Sequence, residues 1–139
     1  MKFLLDTCVV SELVAKRPNQ AVLQWIDSVD EDHLYLSVIT IGEIRKGIAK
    51  LADSTRKLEL QEWLSDHLLT RFGDRIVAIN TGVMLEWGQL VGNLEHLGKP
   101  MALMDSLIAA TVLHGDFILV TRNEANFESA DVRILNPFK

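Results

Sequence analysis

Three carboxylates stand in apolar stretches where acids are seldom tolerated: Asp6, Glu43 and Asp105. Asp105 is the only charge between Met101 and Leu113, a segment apolar on nearly every face of a helix, which belongs in a core. Asp6 closes the run Phe3-Leu4-Leu5, and Glu43 follows the uncharged stretch Leu34 to Gly42. An ionised carboxylate in such surroundings is unfavourable unless something neutralises it. Like charges about 4 Å apart repel by roughly 4 kcal/mol at an effective dielectric of about 20. Three acids in three separate apolar segments therefore point to one shared site, gathered around a divalent cation. Hard oxygen donors suit magnesium or manganese, Mg2+ or Mn2+.

Each acid also has a local explanation. Asp105 can be a helix-start acid, favoured there by the helix dipole. Thr40-Ile41-Gly42-Glu43 matches a capping box, and Asp6 can cap a following helix. Each reading is acceptable alone, but together they leave the pattern of apolar surroundings unexplained.

Other chemistries find little support. His33, His67, His96 and His114 show no zinc spacing. There is no Gly-rich phosphate loop, Ser-His-Asp pattern or Cys-His pairing. Cys8, the single cysteine, reads as a small core residue and fits a reducing compartment. Arg45, Lys46 and Lys50 follow Glu43, with Lys46 and Lys50 at i, i+4; they form either a solvated face or a phosphate-positioning edge. Arg122 falls near the expected site. Trp25, Trp63 and Trp87 occupy apolar helical positions and read as core or subunit contacts.

The elements that must position these groups alternate. Short apolar strands are expected at Lys2–Leu5, Leu34–Ser37, Ile76–Ile79, Phe117–Thr121 and Val132–Leu135. Helical spacing is read between them, including about Thr7–Ala15, Ile39–Leu51, a long helix from Asn80 to about Leu97, and the Asp105 helix. Gly115 sits where a left-handed helix cap is expected. This is an α/β pattern, a three-layer α/β/α sandwich with a mostly parallel central sheet. Ligands in such sheets lie beyond the carboxyl ends of strands, where Asp6 and Thr121-Arg122-Asn123 fall.

At 139 residues, with 48% hydrophobic and 24% charged residues, the chain reads as a single domain over 1–139. No uncharged run is long enough to span a membrane, and Asp6 interrupts any signal-peptide core; a cytoplasmic protein is expected. The net charge of −5 argues against a protein that coats nucleic acid. It does not argue against a nuclease, because a bound metal reverses the local sign.

The blocks Leu5-Asp6-Thr7 with Val10-Ser11-Glu12, Leu36-Ser37-Val38-Ile39-Thr40 leading to Glu43, Asp105 to Thr111, Val120-Thr121-Arg122-Asn123, and Leu135-Asn136-Pro137-Phe138 resemble PIN domains. The similarity is to the small bacterial toxins of the VapC and FitB type, and it spans the chain in family order. It implies Mg2+- or Mn2+-dependent cleavage of RNA, a homodimer, and neutralisation by a small cognate antitoxin. By this resemblance Asp6, Glu43 and Asp105 match the acidic, metal-holding positions, and Asn123 stands at a fourth that is often Asp. Asn126 also replaces an acid, and Asn can still coordinate through its carbonyl oxygen.

The expected function is thus a metal-dependent endoribonuclease toxin with Asp6, Glu43, Asp105 and Asn123 at its centre. One alternative is a catalytically weak PIN module that binds RNA or protein. Another is a phosphoacceptor or phosphohydrolase with Asp6 as nucleophile, weakened because Cys8 breaks the Asp-x-Asp spacing. Leu58, Trp63, Leu64 and Leu68 exceed what a lone surface helix needs and are read as candidates for the dimer contact.

Overall fold

A computed structural model describes residues 1–139. Five strands, β1 (Phe3–Leu5), β2 (Leu34–Ser37), β3 (Ile76–Val77), β4 (Ile118–Val120) and β5 (Ile134–Leu135), form one sheet in the order β3-β2-β1-β4-β5. Every pairing is parallel, with Phe3 opposite Leu34 on one side and Ile118 on the other. The helices are α1 (Thr7–Val10), α2 (Gln20–Ser28), α3 (Val38–Ala49), α4 (Thr55–Glu62), α5 (Leu69–Phe72), α6 (Thr81–His96) and α7 (Leu103–Gly115).

The strands are apolar on both faces because both faces are covered. Phe3, Leu5, Leu34, Leu36 and Val120 pack on one side with Val22 and Ile26 of α2 and Ile44 and Ile48 of α3. Leu4 and Leu119 point the other way, into a second cluster with Ile108, Ala109 and Val112 of α7. The period-two alternation of side chains along a strand thus splits the core into two layers, and the expected three-layer sandwich forms.

Local signals explain several boundaries. Ser37 caps α3, its Oγ accepting from the Thr40 amide at 3.2 Å. Asn80 caps α6 through the Val83 amide at 2.9 Å. The Thr7 helix is shorter than expected, passing into a 3-10 turn at Ser11–Leu13. The third strand ends at Val77 rather than Ile79. Gly115 is not the left-handed cap: Asp116 takes that conformation, with φ 55° and ψ 48°. Gly115 is required for a different reason, since a Cβ there would lie 2.2 Å from the Phe117 ring.

The apolar residues read as a dimer contact also depart from expectation. Leu64 and Leu68 are buried in the first core, Trp63 packs against it, and Leu58 alone is freely exposed. A π-helical stretch over Trp63–Leu68 joins α4 to α5 and turns these side chains inward. The large apolar residues left at the surface lie elsewhere, chiefly Leu85 and Leu97 on and after α6 and Leu103 at the start of α7. No helix is long and apolar enough to cross a membrane.

Candidate metal centre

The sheet order places β1 centrally, with β2 and β3 to one side and β4 and β5 to the other. The chain therefore reverses its direction of winding between β1 and β4, and the crevice at such a switch point is where ligands bind. Asp6 and Thr121 are the first residues beyond those two strands. The Asp6 amide donates to the Val120 carbonyl at 2.9 Å, so the sheet ladder itself sets the position of the acid.

Asp6 is buried, at 7% exposure, and both carboxylate oxygens are held. Oδ1 accepts from the Thr7 amide at 2.9 Å, and Oδ2 accepts from the Thr121 hydroxyl at 2.8 Å. Asp6 is thus the cap of α1 and a site acid at once; the two readings do not compete. Burial raises its pKa above the ordinary Asp value, opposed by the Thr121 and Thr7 hydrogen bonds and reinforced by the Glu43 charge.

Glu43 does not serve as the box of its own helix. Ser37, not Thr40, is the cap of α3, so Glu43 lies beyond the first turn. Instead its Oε1 accepts from the Thr7 hydroxyl at 2.6 Å, and that hydroxyl is also 3.3 Å from Thr40 Oγ1.

Asp105 sits in the first turn of α7, whose cap is Ala102, without a side-chain bond. Its helix buries Ser106, Ile108, Ala109 and Ala110, while Asp105 itself is half-buried. Desolvation raises its pKa, followed by the charges of Asp6 and then Glu43. The indole Nε1 of Trp87 donates to Ser106 Oγ at 2.9 Å, tying this turn to α6. Trp87 is therefore a brace behind the site.

Asn123 joins the cluster through backbone. Its amide donates to Thr121 Oγ1 at 3.0 Å, so one hydroxyl links Asn123 to Asp6. Asn123 and Asn126 are both exposed. Cys8, half-buried, lies 3.6 Å from Thr121 Oγ1. Arg122 is directed to the C-terminus instead of the acids, over the Phe138 ring at 4.9 Å. Thr7 and Thr121 are the residues that sequence reasoning passed over as bare members of motifs. Their signal was a hydroxyl beside the acid at one strand end and a second at the neighbouring strand end.

The donor set fits a hard divalent cation on chemical grounds. Asp6, Glu43 and Asp105 act on one another electrostatically, and no Lys or Arg forms an ion pair with any of them. Gathered acids without a protein counter-charge suit an external one. No three His, Cys, Asp or Glu side chains approach closely enough to enclose an ion by themselves. An open arrangement of this kind matches magnesium, which keeps several of its waters.

Residues 3–132 match the family model for the PIN domain. Toxin FitB of Neisseria gonorrhoeae is 36% identical over 97% of each chain. Plasmid stability protein StbB of Pseudomonas syringae pv. tomato is 36% identical over 98% of each. The solved structure of FitAB bound to an IR36 DNA fragment superposes with a TM-score of 0.92 at 35% identity, covering 99% of this chain and 96% of that one.

Proposed function

The chain belongs to the PIN domain family, among the toxins of the VapC and FitB type, and we propose that it is a metal-dependent endoribonuclease, the toxin of a toxin–antitoxin pair. One observation carries this reading: three carboxylates at the switch point of a parallel sheet, within electrostatic reach of one another and paired with no protein cation. Residues 1–139 act as one nuclease unit. Asp6, Glu43 and Asp105 would hold the ion, Mg2+ or Mn2+, and Asn123 would add its carbonyl oxygen.

When bound, a divalent cation would supply positive charge against the phosphodiester oxygens and would lower the pKa of a water it holds, making a nucleophile available at neutral pH. The chain supplies position. Thr121 and the Thr7 amide fix the two Asp6 oxygens, and the Thr7 hydroxyl fixes Glu43. Trp87 and Ser106 brace the turn that carries Asp105. With water as the nucleophile the RNA 2′-hydroxyl is not needed, and the product carries a 5′-phosphate. A small antitoxin is the neutralising partner. Exposed Leu85, Leu97 and Leu103 support a homodimer, and the pair acts in the cytoplasm.

Purified protein should cut RNA with magnesium or manganese and lose activity in chelator. Asp6→Asn and Asp105→Asn should abolish both cleavage and growth arrest on expression. Undiminished toxicity in both variants would overturn the reading. The neutral Asn123 and Asn126 favour a second reading, a weak PIN module that acts by binding. RNA retention without turnover in either metal would select it.

A further inference from the structure

We propose that the segment after β5, Asn136–Lys139, is a clasp that sets the position of Asn123, with Asn136 and Phe138 as positioning residues for the metal centre. The inference rests on the reading of Asn123 as a ligand and deepens it by naming what holds that residue. Asp6 has both carboxylate oxygens fixed by hydrogen bonds, but Asn123 has no such support. It is exposed, and its side chain caps no helix. Its hydrogen bonds are made by backbone, the amide to Thr121 Oγ1 and the carbonyl from the Asn126 amide. With φ −89° and ψ 56° it lies between β4 and the 3-10 turn Glu124–Phe127, so neither element dictates where it stands.

Both chain neighbours of Asn123 are gripped by this one segment. On one side the Arg122 guanidinium lies 4.9 Å from the centre of the Phe138 ring. On the other, Glu124 Oε2 accepts from Asn136 Nδ2 at 2.9 Å and pairs with Lys139 Nζ at 2.8 Å. Asn136 also uses its other end, Oδ1 accepting from the Phe138 amide at 3.0 Å. That bond to the backbone two residues on is the turn Asn side chains favour, so one side chain both folds the segment and ties it to Glu124. The segment has its own anchors. Pro137 is buried, and Phe138 packs against the core layer that holds Leu5 and Val120. The loop and the clasp leave adjacent parallel strands, β4 and β5, with the Thr121 amide donating to the Leu135 carbonyl at 3.1 Å.

Stability of the fold does not account for these contacts. An ion pair whose side chains are 74% and 42% exposed contributes little, and a cation over an aromatic ring at the surface contributes little more. The β5 strand is held by its ladder to β4 and by Leu135 against the core, neither of which uses these polar side chains. What the contacts share is Asn123, enclosed between the two residues they fix. Ordering the loop beforehand lowers the conformational entropy lost when an ion binds. This matters more for a neutral amide carbonyl than for the three acids, whose charge draws the cation by itself.

The test is titration of Mn2+ into the full chain without RNA, followed by electron paramagnetic resonance of the free ion, in two backgrounds. With Asn123 present, Asn136→Ala and Phe138→Leu should each weaken Mn2+ binding about tenfold, the lower end of the loss when a group that orients a ligand is removed. Phe138→Tyr keeps the ring and should bind like the unaltered protein. In an Asn123→Ala background the same substitutions should weaken binding no further. Equal weakening in both backgrounds would assign the segment to the fold at large, and unaltered binding by Asn123→Ala would leave the clasp no ligand to place; either result overturns the proposal. A second readout needs no metal. In Asn136→Ala and Phe138→Leu the backbone NMR order parameter at Asn123 should fall from about 0.85 toward 0.6, while Asp6 and Asp105 keep theirs. An unmoved Asn123 would overturn the clasp as well. Failure of the unaltered protein to bind Mn2+ would instead strike the metal reading, and the order parameters would still report whether the segment holds Asn123.

Discussion

Thr7 Oγ1 donates to Glu43 Oε1 across 2.6 Å, while the Thr7 amide donates to Asp6 Oδ1. One residue at the start of α1 therefore holds two of the three site acids, one just beyond β1 and one on α3. Neither bond depends on the other, so they can be separated by substitution. Thr7→Val keeps the amide and the branched shape but releases Glu43. Loss of a group that orients a metal ligand lowers metal affinity or activity about 10–100-fold. Cleavage measured against magnesium concentration should shift by that amount, and Thr7→Ser should recover most of it. An unshifted metal dependence in Thr7→Val would mean that Glu43 needs no support.

Thr121 acts on the other Asp6 oxygen and is fully buried. Thr121→Val leaves that oxygen without its partner in an apolar surround. Leaving a buried acceptor unsatisfied costs about 1–3 kcal/mol, which urea unfolding at neutral pH in chelator should register. The hydroxyl lowers the Asp6 pKa, so its loss should also push that pKa further up, visible in the carboxyl carbon shift by NMR. Thr121→Ser should reverse both effects.

The pH dependence of stability has a definite sign. Asp6 and Asp105 both titrate above the ordinary Asp value of 3.8 when folded. Between the unfolded and the folded pKa, the native state binds more protons, so stability falls as pH rises through that window. Glu31, paired with Arg71 and Arg75, is shifted down and acts oppositely, losing its contribution as pH falls below 4.5. The comparison of wild type with Asp105→Asn isolates the site. In chelator, Asp105→Asn should melt higher at neutral pH, and its advantage should vanish as the pH approaches 3.8. Magnesium should raise the melting temperature of the wild type and do little for the variant. A variant less stable than wild type at every pH would remove the repulsion from the account.

Asn123 offers a test by addition. Asn123→Asp places a fourth carboxylate two residues from Thr121, in an exposed position. It should lower the metal concentration needed for half-maximal cleavage. In chelator it should destabilise by no more than about 1 kcal/mol, the scale of exposed charge interactions. No change in metal dependence would place Asn123 outside the ion's reach.

The layers and the parallel sheet were legible in the residues, and the three acids could be picked out there as candidates. Alternating apolar strands and amphipathic helices leave few ways to bury their faces, and an acid in an apolar run is conspicuous whatever the fold. Asp105 could be singled out as the only charge in an apolar run, although the fold leaves it half-buried. Local patterns misled where the competing partner was distant. The Thr40–Glu43 spacing satisfies a capping box, but Ser37 supplies the cap and Thr7, 36 residues earlier in the chain, takes the glutamate. Leu64 and Leu68 look surplus on a surface helix until the π-helical turn directs them into the core. The roles of Thr7 and Thr121 were set only by strand order. Pairing β1 with β4 brings Thr121, 115 residues away, to 2.8 Å from Asp6, because hydrogen bonding across a sheet aligns strand ends that sequence separation does not relate.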